Sequence, residues 1–186
     1  MALVGYTNAG KSTLFNALTR ARVESSARMF ATLDPTVRAL RLDRQHQVLL
    51  SDTVGFIRNL PPHLVASFRA TLEELEDAAL LLHVSDASDP RREEQDAAVE
   101  SLLSSIGVAS SPRLRVWNKI DLLQDAERAR LSSGEADVPV SALTGEGLGV
   151  LRGRIAAAIP PGGQGESRPD TLSTADRPPS EIYTNG

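Results

Sequence analysis

A glycine-rich loop near the amino terminus constrains the fold of this chain more than any other feature. The segment from Gly5 to Ser12 reads GYTNAGKS and matches the pattern G-x-x-x-x-G-K-S. It follows the short apolar run Ala2 to Val4 and precedes an amphipathic stretch, so it connects a buried strand to a helix. Backbone amides and the helix amino terminus of such a loop surround phosphate oxygens. The loop therefore predicts an α/β fold that binds a nucleotide.

The residues of this loop have separate predicted tasks. Lys11 is the candidate contact to the β and γ phosphates, and the Ser12 hydroxyl is a candidate Mg²⁺ ligand. Arginine makes up 18 of the 20 basic residues, and the two lysines are Lys11 and Lys119, as expected where a compact ammonium is needed. The other predicted loop contacts are Gly5, Tyr6, Thr7, Asn8, Ala9, Gly10 and Thr13.

Short apolar runs alternate with longer amphipathic ones from Ala2 to Ile159. This alternation predicts a six-stranded, mostly parallel sheet with one antiparallel strand and helices on both faces. The predicted strands are Ala2 to Val4, Val37 to Leu42, Val48 to Asp52, Leu80 to Val84, Leu114 to Trp117 and Val138 to Val140, the second and third being the antiparallel pair. The predicted helices begin near Lys11, Pro61, Pro90, Asp125 and Leu148.

The sequence also gives an expectation for each end of the chain. The chain opens within the predicted central strand, so we expect Met1 to be a truncation point and the short strand to lower stability. Beyond Pro160 the sequence is rich in Pro, Gly, Ser and Thr and lacks apolar periodicity. We expect one domain over residues 1–160 and a disordered tail over residues 161–186.

Composition removes several classes of protein. The chain has no cysteine, which excludes disulfides, thiol catalysis and cysteine-ligated metals. Its formal net charge is -4, so it lacks the basic surplus of an autonomous DNA-binding domain. No apolar run approaches the roughly 20 residues of a membrane helix, so we expect no membrane partner.

A second motif, Asp52-Thr53-Val54-Gly55, follows the third predicted strand. At this position Asp52 would hold Mg²⁺ through water, and Gly55 would approach the γ-phosphate. The pattern D-x-x-G is weak alone, and its significance comes from the phosphate loop upstream.

Two further motifs predict the base. In Asn118-Lys119-Ile120-Asp121, the Asp121 carboxylate can accept guanine N1–H and N2–H, while Lys119 packs over the base and Asn118 ties the motif to the phosphate loop. Adenine offers neither donor, which disfavours an ATPase. A backbone amide from Ser141-Ala142-Leu143 would reach guanine O6.

These four motifs, in this order, resemble the small Ras-like GTPases, which implies their three-layer P-loop fold. The strings GYTNAGKSTLFNAL, FATLDPT, DTVGFIRNLP, SFRATLEE, LLLHVSDASDP and NKID further resemble the HflX family of ribosome-associated GTPases. The resemblance implies that Thr32 senses Mg²⁺ and the γ-phosphate, with Thr36 as the alternative or simply the first residue of a strand. The implied nucleotide-contacting segment comprises Phe30, Ala31, Thr32, Leu33 and Asp34. Lys11, Thr32 and Gly55 are the expected catalytic residues, and Ser12, Thr32 and Asp52 the expected metal ligands.

Intrinsic hydrolysis should be slow, because Phe56 stands where Ras-like proteins often carry a water-orienting glutamine. Arg58 and Arg69 are possible helpers or surface arginines. In related GTPases an asparagine at the place of Asn8 ligates K⁺, which makes K⁺ a second candidate cofactor beside Mg²⁺.

The resemblance also implies partners: GTP, GDP and the large ribosomal subunit, in splitting or rescuing stalled ribosomes in the cytoplasm. HflX proteins carry an amino-terminal domain and a helical linker that this chain lacks, so we expect weakened ribosome binding, and we expect a monomer. A guanine-nucleotide-binding regulatory module with negligible hydrolysis is the alternative.

Several other polar and aromatic residues have structural interpretations. We expect His83 to be a structural histidine, His46 and His63 to lie in turns, and Trp117 to lie in the core. Asp86 and Asp89 are expected to cap the helix that begins at Pro90.

Overall fold

A computed structural model describes residues 1–19, 36–44, 46–52, 75–131 and 137–160. The strands are β1 (Ala2–Val4), β2 (Thr36–Arg41), β3 (Gln47–Asp52), β4 (Leu81–Asp86), β5 (Arg113–Asn118) and β6 (Asp137–Pro139). The α-helices are α1 (Lys11–Thr19), α2 (Arg92–Ser105), α3 (Asp125–Leu131) and α4 (Leu148–Ala158), and a 3-10 helix spans Ile120–Leu122.

The six strands form one sheet in the order β2-β3-β1-β4-β5-β6. The β2–β3 pair is antiparallel, and the other four neighbouring pairs are parallel. Because parallel strands all end at the same edge, the carboxyl ends of β1, β3, β4, β5 and β6 lie together there. This edge carries the predicted motifs.

Apolar residues cover both faces of the sheet. On one face, α1 and α4 contribute Leu14, Leu18, Leu151 and Ile155 to a core that also contains Leu3. On the other face, α2 packs Val99 and Leu103 against Ala2, Val4 and Leu81. Alternate residues of β1 thus enter different cores, which is the three-layer α/β arrangement that the sequence predicts.

The predicted elements within the described ranges are present with shifted ends. Strand β4 continues through Ser85 and Asp86, two residues beyond its predicted end, because the ladder with β5 pairs Asp86 with Asn118. Helix α2 begins at Arg92, since Pro90 lies in the preceding turn. Most of the helix predicted from Pro61, together with His63 and the tail, lies outside the described residues.

Trp117 is not a core residue, and this prediction is wrong. Along β5, Leu114 and Val116 are buried in the first core, whereas Arg115 and Trp117 lie on the opposite side of the strand and are half-buried. The Arg115 guanidinium lies 5.2 Å from the centre of the Trp117 ring. The indole therefore packs beneath a cation instead of among aliphatic side chains.

Strand β1 lies at the centre of the sheet, between β3 and β4, as predicted. Met1 extends the ladder to β3, because its terminal amine donates to the Leu49 carbonyl at 2.9 Å and its carbonyl accepts from the Ser51 amide at 3.1 Å. Within the described ranges, none of the helices has the length and apolar character needed to cross a membrane.

Candidate functional site

The phosphate loop leaves β1 at a residue that must be glycine. Gly5 has a φ of 153°, and a Cβ there would lie 2.2 Å from the Val84 carbonyl oxygen. Asn8 takes the left-handed conformation with a φ of 64° and is exposed, which its short amide side chain tolerates. The loop then enters α1 at Lys11, so the first backbone amides of that helix face the loop.

The Lys11 ammonium is buried within its own loop. Its Nζ donates to the carbonyl oxygens of Gly5 at 3.0 Å and Tyr6 at 2.9 Å. Burial lowers the pKa of Lys11 from 10.5 to about 8, although attraction to the Asp52 carboxylate raises it. A phosphate group would supply the anionic partner that this buried cation needs.

Asp52 ends β3 beside the loop and is fully buried. In the sheet it pairs with Leu3 of β1 on one side and with Thr36 of β2 on the other. Thr36 begins β2, in agreement with its interpretation as the first residue of a strand. The site therefore combines a buried carboxylate and the Ser12 hydroxyl, and Mg²⁺ prefers such oxygen ligands.

Asn118 joins three of the predicted motifs. It is 2% exposed, and its Nδ2 donates to the Ala9 carbonyl oxygen at 2.9 Å. Its Oδ1 accepts from the Ala142 amide at 3.0 Å. The link that the sequence predicts between Asn118 and the phosphate loop is present, and the same side chain also holds the third segment.

The segment after Asn118 presents an acceptor without a donor. Lys119 adopts the left-handed conformation with a φ of 64°, and the chain turns into the 3-10 helix that contains Asp121. The Asp121 Oδ1 atom is buried and has no hydrogen-bond partner in the described part of the chain. A buried unpaired carboxylate oxygen is costly, and the N–H groups of a guanine base would satisfy it.

The last motif is a tight turn. The Ser141 amide donates to the Glu146 carbonyl at 2.9 Å, and the Ala142 amide is used by Asn118. Of the three predicted amide donors, Leu143 is therefore the candidate for guanine O6, and its side chain is 79% exposed. The sequence alone did not distinguish among these three amides.

Part of the predicted site lies outside the described residues. This part contains the predicted switch residues and the carboxyl half of the D-x-x-G motif: Phe30, Ala31, Thr32, Leu33, Asp34, Thr53, Val54, Gly55, Phe56, Arg58 and Arg69. In the described ranges, no group of three or more His, Asp or Glu side chains is arranged to hold a metal ion. Of the expected metal ligands, the described ranges contain the Ser12 hydroxyl and the Asp52 carboxylate.

Asp89 and Asp86 were both predicted to cap α2; the first prediction is nearly correct and the second is wrong. Asp89 accepts from the Arg91 amide at 2.8 Å and from Gln95 Nε2 at 2.7 Å, so it supports the turn into the helix, although Arg91 itself is the N-cap residue. Asp86 does not cap the helix. Its Oδ2 accepts from Lys119 Nζ at 2.6 Å. Sequence reasoning missed this contact, because the predicted strand ended at Val84 and left Asp86 outside the sheet.

His83 is a buried strand residue, as predicted. Its Nε2 lies 3.4 Å from Asp96 Oδ1 and its Nδ1 lies 3.4 Å from Glu100 Oε1, both on α2. His46 lies in the predicted turn, where its amide donates to Asp43 Oδ1 at 2.8 Å. Neither histidine lies among the loop residues of the candidate site.

Comparison with known proteins gives a consistent result. A family model described as 50S ribosome-binding GTPase matches residues 1–119. The chain is 52% identical to GTPase HflX of Magnetococcus marinus over 162 residues, which cover 86% of this chain and 37% of that protein. The chain therefore spans little more than a third of this relative.

Solved structures agree with the fold. A GTP-binding protein from Sulfolobus solfataricus in complex with GDP superposes with a TM-score of 0.66 at 32% identity, over 84% of this chain and 51% of that one. Era in complex with MgGDPNP and a fragment of 16S ribosomal RNA gives a TM-score of 0.68 at 27% identity, over 86% of this chain and 56% of that one.

Proposed function

The chain belongs to the 50S ribosome-binding GTPases as a G domain of the HflX family, and on that premise we propose that it binds GTP and GDP, hydrolyses GTP with Mg²⁺ and acts as a switch on the large ribosomal subunit. In this proposal residues 1–160 form the G domain, a monomer that acts in the cytoplasm.

The observation that carries guanine specificity is the buried Oδ1 of Asp121, which has no hydrogen-bond partner among the residues that the structure describes. Guanine presents N1–H and N2–H on one edge, and both can donate to a single carboxylate. Adenine has an unprotonated N1 and no amino group at C2, so it would leave the carboxylate desolvated and unpaired. A site with a buried polar group of this kind rejects the ligand that cannot pair with it.

Phosphate binding follows from the Lys11 geometry. Within the described residues its ammonium donates to the neutral carbonyl oxygens of Gly5 and Tyr6, and it also lies in the field of Asp52. The β and γ phosphates would replace those carbonyls with stronger, charge-assisted acceptors. The amides at the start of α1 would add further donors to the phosphate oxygens.

The residues present fit a magnesium ion. Ser12 and Asp52 offer oxygen donors, Asp52 is fully buried, and the solved structure of Era is a complex with MgGDPNP. When bound, Mg²⁺ neutralises charge that develops between the β and γ phosphates. Thr32 and Gly55 remain in the proposal on the family resemblance alone, as does the role of Phe56 in keeping unstimulated hydrolysis slow.

Base specificity is tested by Asp121→Asn. An asparagine amide donates to the C2 carbonyl of xanthine and accepts from its N1–H, so we expect GDP affinity to fall by about 100-fold or more and XDP affinity to rise. Asp125→Asn, an exposed carboxylate four positions later, is the matched control and should leave both affinities unchanged. If Asp121→Asn leaves the nucleotide preference unchanged, the interpretation of the chain as an ATPase would again be favoured.

Hydrolysis and the ribosomal partner are tested by single-turnover reactions with GTP and Mg²⁺, with and without purified large ribosomal subunits. Stimulation by the subunits is the expected result, and omission of Mg²⁺ should abolish turnover. Tight GTP binding with no hydrolysis under any condition would favour the regulatory module. Replacement of K⁺ by Na⁺ tests Asn8: equal rates would remove K⁺ from the proposal.

A further inference from the structure

Asp86 lies at the candidate site without belonging to any of its motifs. It is the last residue of β4, and the β4–β5 ladder places it opposite Asn118, next to Lys119. Its side chain is 13% exposed. A carboxylate at this edge of the sheet faces the segment that we propose for base recognition.

Both oxygens of this carboxylate are engaged. Oδ1 accepts from the Ser88 amide at 3.0 Å and from the Ser88 hydroxyl at 2.6 Å. Oδ2 accepts from Lys119 Nζ at 2.6 Å. Ser88 therefore fixes the plane of the carboxylate and directs Oδ2 at the Lys119 ammonium. Charge-assisted bonds of this length are strong and directional.

Lys119 needs such an anchor. Its backbone is in the left-handed region, and its side chain lies against the phosphate loop. Its Cε lies 3.8 Å from the position that a Cβ on Gly10 would occupy. The methylene stem thus lies along the loop while the ammonium is held at the far side by Asp86.

We infer that Asp86 is a positioning residue for guanine recognition: its ion pair fixes Lys119 so that the aliphatic stem, and not the charge, forms a wall against the base. This inference rests on the proposed function. Without Asp86, the ammonium would be free to turn toward the phosphates or solvent, and the wall would be lost. Affinity for the base would then fall while the phosphate loop remained intact.

The test compares Asp86→Asn with the unaltered chain in binding a fluorescent GDP and in binding inorganic pyrophosphate, which has no base. Asparagine keeps an acceptor for Ser88 but removes the charge that holds Lys119. We expect GDP affinity to fall about tenfold, as contacting side chains commonly couple on this scale, with pyrophosphate affinity within about twofold. A merely structural defect would weaken both ligands.

The matched control is Asp89→Asn, three positions later, in the turn that follows β4. Asp89 contacts Arg91 and Gln95 and has no bond to Lys119 in the described structure, so GDP affinity should change less than about twofold. In a Lys119→Met background, Asp86→Asn should add little further loss, because its effect acts through the lysine. Additive losses would overturn the inference.

Ser88→Ala provides a second route if Asp86→Asn folds poorly. It removes the hydroxyl that orients Asp86, and in the described structure Ser88 makes no hydrogen bond to Lys119, so GDP affinity should fall about threefold. If the unaltered chain binds GDP and neither variant weakens that binding, the inference is overturned and the proposed function stands. No GDP binding by the unaltered chain would overturn the proposed function and this inference with it.

Discussion

The side-chain amide of Asn118 donates a 2.9 Å hydrogen bond to the carbonyl oxygen of Ala9, which lies 109 residues earlier in the chain. The same amide group accepts from Ala142 at 3.0 Å. One buried side chain therefore satisfies polar backbone atoms in two separate loops at the edge of the sheet. This side chain therefore couples the position of the phosphate loop, the segment that follows Asn118 and the turn that contains Ala142.

Asn118→Ala should lower the free energy of unfolding by about 2 kcal/mol or more, because it leaves the Ala9 carbonyl and the Ala142 amide buried without partners. Chemical denaturation followed by circular dichroism measures this loss. Gln95→Ala is the control, since it removes a side-chain amide with one bond, to Asp89, and should cost less than about 1 kcal/mol. Equal losses would contradict the bridging role.

Gly10 has a steric role in the same contact. Its φ is 92°, and a Cβ there would lie 2.2 Å from Asn118 Nδ2. Gly10→Ala should therefore displace Asn118 and reduce stability by about 2 kcal/mol, with a parallel loss of GDP affinity.

Gly153→Ala is the matched glycine control for Gly10→Ala. Gly153 lies within α4 with open space around its Cα, so alanine should raise stability by about 1 kcal/mol through helix propensity. Urea denaturation of both variants gives the comparison. Stabilisation by both substitutions would show that the contact between Gly10 and Asn118 is not tight.

Sequence patterns predicted the architecture well because strand, loop and helix alternate with clear periods. The antiparallel β2–β3 pair, the parallel order of the remaining strands and the bounds of α3 agree with what the residues indicate. Strand ends were less predictable. Ser85, Asp86 and Asn118 are polar, yet they continue the ladder because backbone hydrogen bonds do not depend on side-chain polarity.

The candidate site shows a similar division. The sequence indicated Asn118 as a link to the phosphate loop, because spacing and strand order bring those segments together. It did not indicate the pair of Asp86 and Lys119, since an aspartate a few residues ahead of a predicted helix start is more often a helix cap. Trp117 was predicted to lie in the core, although alternation along β5 places it with Arg113 and Arg115.

Lys11 should make stability depend on pH in nucleotide-free protein. Its pKa in the folded chain is about 8 against 10.5 for an ordinary lysine, so between these values the unfolded chain binds more protons. The contribution of Lys11 to the free energy of unfolding therefore rises as the pH increases from about 8 toward 10.5. Lys11→Met lacks the titrating group and should lack this part of the rise.

The measurement for Lys11 is urea denaturation of both proteins without nucleotide across that pH range. The terminal amine of Met1, whose pKa burial also lowers, titrates in both proteins and cancels in the difference. A stability difference that stays constant with pH would show that Lys11 is not desolvated in the folded chain.

Asp96 should contribute stability that is lost in acid. Burial alone would raise the pKa of Asp96, but the nearby His83 imidazole and the hydrogen bond from the Ser85 hydroxyl outweigh it and hold the pKa below 3.8. A carboxylate with a lowered pKa stabilises the folded chain at pH values above its ordinary pKa, and this contribution disappears as the pH falls through the pKa of the folded chain.

Asp96→Asn should therefore cost about 1 kcal/mol near neutral pH and progressively less below about pH 4, as measured by urea denaturation. Glu93→Gln, an exposed carboxylate in the same helix, should change stability by less than about 0.5 kcal/mol. A cost of Asp96→Asn that stays the same at every pH would show that hydrogen bonds, and not charge, account for the role of Asp96.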